Sequence, residues 1–140
     1  METVLLVIHF LALAVGIGGG AASAVAAGIA KSSEPAGAMA IGKVQSKVGD
    51  VGFVALIVLW LTGIWMVFSV YGGFSGVPDG FTTKLIGVVG LTIAVAGMQV
   101  VKRRAMAAGS PPSANTMEWL GRLALVSAIF TITFAVLTFD

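Results

Sequence analysis

Long apolar stretches separated by short polar ones set the pattern of this chain. The first covers residues 4–30 and holds one ionisable group, His9. A bilayer core needs roughly 20 helical residues, so this stretch spans with tilt or ends before Ala30, its second half being mostly glycine and alanine. No basic segment precedes it, and further spans follow. It reads as a retained helix and not as a cleaved signal peptide. From Pro35, a good first-turn residue, Ile41, Val44, Val48 and Val51 recur at three- and four-residue spacing, with Lys43 and Lys47 on another face. That pattern predicts an amphipathic extension leading without a break into a second span over 51–71. A glycine-rich turn follows, with Pro78 and Asp79. The third span is predicted over 84–101, with Thr82 or Thr83 as N-cap, and closes on Lys102, Arg103 and Arg104. After a Ser-Pro-Pro-Ser loop, Asn115 and Glu118 suggest a capping box for a fourth span over 119–139.

The predicted fold is therefore all-α, an integral membrane four-helix bundle in one transmembrane domain. Composition agrees: 58% of the 140 residues are hydrophobic and only 10% charged, with mean hydropathy +1.05. Soluble domains carry about 25% charged residues. Strand-like alternation is missing, and in lipid a helix satisfies its own backbone. The net charge of +2 carries no nucleic-acid signal, because the basic residues sit in short loops. Six of the eight lysines and arginines (Lys31, Lys43, Lys47, Lys102, Arg103, Arg104) fall in the first and third loops. The positive-inside rule then places those loops in the cytoplasm and both termini outside, N-out/C-out. Arg122 snorkels from the start of the last helix.

Small residues suggest how the helices meet. Ala12, Gly16, Gly20, Ala24 and Gly28 repeat every four residues, widened by Gly18, Gly19 and Ala22. The third helix offers Gly87, Gly90, Ala94 and Gly97. Such stripes let backbones approach closely. They predict a first helix packed tightly inside the bundle or across a dimer interface.

Candidate chemistry is sparse. Cysteine is absent, which excludes disulfides, thiolate metal sites and cysteine nucleophiles. None of the six carboxylates falls within the four predicted spans, against a carboxylate-relay transporter or proton channel. His9 is the lone histidine. It can ligate haem iron or a metal, shuttle protons, or be a neutral imidazole bonded to a neighbouring helix. Lys84, expected on the same side of the membrane, can pair with a propionate or other anion, ligate a metal if deprotonated, or snorkel to water. Met66 is the one methionine expected to approach the His9 level, as a second ligand or as core filler. Thr62 and Gln99 read as interhelical hydrogen-bonding residues. Thr131, Thr133 and Thr138 read as bonding to their own backbone. A haem held by two histidines of one chain is impossible here, which leaves His9 alone, His9 with Met66 or Lys84, or His9 from two protomers.

The segment VLLVIHFLALAVGIGG, with an early histidine and a glycine patch, resembles the first helix of a group of small four-helix membrane proteins. These are the copper-resistance-D-like proteins and the HemJ-type protoporphyrinogen oxidases. LTGIWMVFS resembles the end of their second helix, and FTTKLIGVVGLTIAVAGMQVVKRR their third. The resemblance implies haem b held at His9, a catalytic or haem-site role for Lys84, and oxidation of protoporphyrinogen to protoporphyrin. The expected location is a bacterial inner membrane, with the termini that the charge bias places outside being periplasmic. The expected function is a haem-b-associated membrane redox protein. The alternatives are a non-catalytic accessory subunit of a larger membrane complex and, third, a small-solute or metal-handling protein. Expected partners are membrane lipid and further copies or subunits, without nucleic acid.

Overall fold

Helix formation here follows from unbroken apolar sequence, and helix ends follow from local chemistry. The structure, a computed structural model, describes residues 2–77, 80–110 and 114–139. Among them are four helices and no strand: α1 (Glu2–Lys31), α2 (Pro35–Tyr71), α3 (Phe81–Ala107) and α4 (Ala114–Phe139), with a short 3-10 turn at Phe74–Gly76. All four helices are long and apolar enough to cross a membrane. Pro78, Asp79, residues 111–113, Met1 and Asp140 lie outside the described residues, as does the Thr138 side chain.

The ends differ from expectation in instructive ways. Despite its glycines, α1 continues to Lys31, where Ser33 Oγ donates to Ile29 O at 2.8 Å and Ser32 N to the same carbonyl at 3.1 Å. The expected single long second helix is present, with Pro35 in its first turn. It stops because Gly72 adopts φ 67°, open to glycine at little cost, and Gly73 N closes back on Val67 O at 3.1 Å. Neither Thr82 nor Thr83 caps α3. The N-cap is Gly80, and both threonines fall inside the first turn. The predicted capping box of α4 does not form either, because Asn115 is already helical. Glu118 instead accepts a 2.7 Å hydrogen bond from Arg122, one turn on, and the guanidinium lies 6.0 Å from the Trp119 ring centre.

The chain divides into two compact units, residues 1–76 and 77–140. Each contains one antiparallel helical hairpin, α1 with α2 and α3 with α4. In the first, the shielded face of α1 carries Leu5, His9, Ala12, Gly16, Gly19, Ser23, Ala26 and Ala30. The steps alternate between four and three, the repeat of about 3.5 residues that keeps one face on a partner helix. The expected every-fourth stripe is not the seam. Four residues turn a helix by about 40° more than a full circle, so the stripe drifts, and Gly20, Ala24 and Gly28 end on the exposed side. The same logic corrects the start of α2. Gln45, Val48 and Gly52 face the hairpin, while Val44 and Val51 are 61% and 55% exposed.

The second hairpin is tighter. Gly87, Gly90, Ala94 and Gly97 of α3 form its seam against Leu120, Ser127 and Thr131 of α4. A Cβ on Gly87 would collide with Thr131 Oγ1, one on Gly90 would meet Ser127 Oγ at 2.9 Å, and one on Gly97 would meet Leu120 Cδ2 at 3.2 Å. Ala94 is fully buried. Thr131 Oγ1 donates to Ser127 O and Thr133 Oγ1 to Ile129 O, as expected for threonines inside a span.

Large apolar side chains such as Phe10, Leu11, Leu61, Trp65 and Phe68 point outward, each at least 55% exposed. In water such surface would drive aggregation; facing lipid it is solvated. The chain is a multi-pass membrane protein.

Candidate functional site

The seam of the first hairpin brings together the polar residues that chemistry would need. Counting along α1, His9 follows Leu5 by four and precedes Ala12 by three, so the seam repeat turns its ring toward α2. There Thr62, buried in the C-terminal third of α2, lies with its Oγ1 2.7 Å from His9 Nδ1. Thr62 Oγ1 also sits 2.7 Å from Val58 O, to which it donates, and 3.3 Å from Leu59 O.

These distances favour one tautomer of the neutral imidazole. A hydroxyl has one proton. Thr62 commits it to the Val58 carbonyl, because two bare oxygens at 2.7 Å would repel. Its oxygen must then accept from His9, so Nδ1 carries the proton and Nε2 carries the lone pair. Histidine ligands to metals are commonly arranged this way, with one ring nitrogen donating to an orienting partner and the other bearing the ligating pair. The ring packs beside Gly63, where a Cβ would stand in ordinary contact, 3.6 Å from His9 Cε1.

Met66 lies one turn beyond Thr62 on the same face of α2 and is half-buried. It therefore shares the hairpin with His9. Lys84 belongs to the other hairpin, in the first turn of α3, with its side chain half-buried and its backbone N donating to Gly80 O at 3.2 Å. The structure thus joins His9 to Thr62, puts Met66 on the same seam, and places Lys84 in the second unit.

Sequence reasoning marked Thr62 as an interhelical hydrogen-bonder without pairing it to His9. Reflection about the Ser32–Ser33 turn was the available signal, since it carries His9 to within about a turn and a half of Thr62. Gln45 was missed entirely. Its Nε2 donates to Ser23 O at 2.8 Å, tying the far end of the hairpin.

The donor set narrows what the site can hold. Among the described residues no three histidine, cysteine, aspartate or glutamate side chains gather where they could hold a metal ion. A bare divalent ion would want three or four protein ligands. Haem iron already has its porphyrin nitrogens and needs only one or two. No family model, curated protein or solved structure matches the chain.

Proposed function

We propose that this chain is a haem-b-associated redox protein of a bacterial inner membrane, with both termini periplasmic, in which Nε2 of His9 would hold the haem iron. The observation that supports it is the Val58–Thr62–His9 hydrogen-bond chain, which leaves the lone pair on Nε2 and steadies the ring. Haem bound there would supply one-electron chemistry. Thr62 would hold the imidazole plane and raise its basicity through Nδ1–H. Met66, on the same seam, is the candidate for a second ligand. Lys84 is the candidate catalytic amine, suited to an anionic group such as a propionate. A protoporphyrinogen-oxidising activity is the form of this proposal that the family resemblance favours.

A second reading, a non-catalytic accessory subunit or homo-oligomer, draws support from α1. A Cβ on Gly20 or Gly28, both on the exposed side of α1, would meet nothing within 4 Å. That leaves a smooth surface of the kind on which membrane helices associate.

The test is an absorption spectrum of detergent-purified protein from haem-replete cells, beside His9→Ala. The expected result is a Soret band that the variant loses or shifts. A colourless wild type would overturn the haem proposal, and co-purifying larger subunits would then favour the second reading.

A further inference from the structure

Away from His9, a groove of about 440 Å³ opens between α1 and α2. Its walls are apolar: Val15, Gly18 and Ala22 from α1, and Val48 and Val51 from α2. Its only charged lining residue is Lys47. Gly18 gives the groove its depth, since a Cβ there would meet nothing within 4 Å.

The position of Lys47 along the hairpin sets what fits. The continuous apolar run of α2 begins at Val51, and Lys47 lies one turn outside it, with Lys43 one turn further. The groove therefore runs from hydrocarbon depth to headgroup depth, with its ammonium at the headgroup end. Asp50 is the single acidic residue on this stretch of α2, and Lys43 and Lys47 outnumber it. A second copy's α1 is a poor occupant, because residues 3–30 offer no carboxylate to meet Lys47.

We propose that this groove binds an anionic glycerophospholipid, with an acyl chain over Gly18 and Ala22 and the phosphate at the Lys47 ammonium. Basic pockets between membrane helices recognise anionic headgroups in this way, and small residues admit a chain where larger ones would exclude it. The site is independent of His9 and of haem.

Native mass spectrometry of the full chain, titrated with phosphatidylglycerol and phosphatidylcholine, tests it. One lysine near the surface favours an anionic lipid by about fivefold, so wild type should retain phosphatidylglycerol by about that ratio. Lys47→Gln should bring the ratio close to one without changing phosphatidylcholine retention. Gly18→Leu, checked for helicity and monodispersity, should lower retention of both lipids. A ratio unchanged by Lys47→Gln would overturn the proposal, as would full lipid retention in folded Gly18→Leu. If Gly18→Leu fails to fold, the exposed Lys47 decides alone. Millimolar inorganic phosphate should displace neither lipid; displacement would show an ammonium acting without the groove, and would also overturn it.

Discussion

Thr62 has one hydroxyl proton and two neighbours that want it, the Val58 carbonyl and the His9 ring. The carbonyl takes it, and the ring becomes a donor. Thr62→Val keeps the shape of the side chain and removes the acceptor, so Nδ1–H loses its partner. Interhelical hydrogen bonds in membranes average about 0.6 kcal/mol, so the hairpin should lose little stability and still fold. The larger effect should be on the ligand. Loss of a partner to a ligating histidine costs about 10- to 100-fold in affinity, and a haem titration of Thr62→Val should show a loss of that size. Unchanged affinity would mean that Thr62 does not orient the ring. The sequence alone made His9 and Thr62 each legible as polar residues inside spans. Their pairing was not, because it depends on how the Ser32–Ser33 turn sets the register of two antiparallel helices.

At the scale of helices, two glycine-rich stripes that look alike in sequence have different fates. The stripe of α3 was legible because Gly87, Gly90, Ala94 and Gly97 step by three, four and three, the spacing of a continuous seam. The α1 stripe steps by four and drifts off its seam after Gly16. The two helices should therefore respond oppositely to added methyl groups. Gly87→Ala drives a Cβ into Thr131, and overpacking of this kind costs about 1–3 kcal/mol. Gly20→Ala meets nothing and gains up to about 1 kcal/mol of helix propensity. Thermal unfolding in detergent should place Gly87→Ala below wild type and Gly20→Ala at or above it. A destabilised Gly20→Ala would show that a partner closes on that face. Helix caps were the least legible feature. Thr82, Thr83 and Asn115 are good capping residues by type, but Phe81 and Ala114 extend the helices past them.

For the whole molecule, hydropathy anticipated four helices long and apolar enough to cross a membrane, because an unbroken apolar run of that length reads directly as such a helix. Orientation is a separate matter, carried only by the lysine and arginine bias. The chain has no cysteine, so single cysteines can be placed without first removing native ones. In intact cells an impermeant maleimide should label Ser75→Cys, in the turn after α2, and spare Ser32→Cys, between α1 and α2. The reverse pattern would invert the proposed topology.

The haem proposal passes through one atom, Nε2 of His9. Because the chain has a single histidine, nitrogen-15 labelling of histidine gives one pair of ring signals with no overlap. At neutral pH, in protein free of haem, Nδ1 should resonate as a protonated nitrogen and Nε2 as one carrying a lone pair. The opposite assignment would point the lone pair at Thr62, and His9 would then be a packing residue and not a ligand.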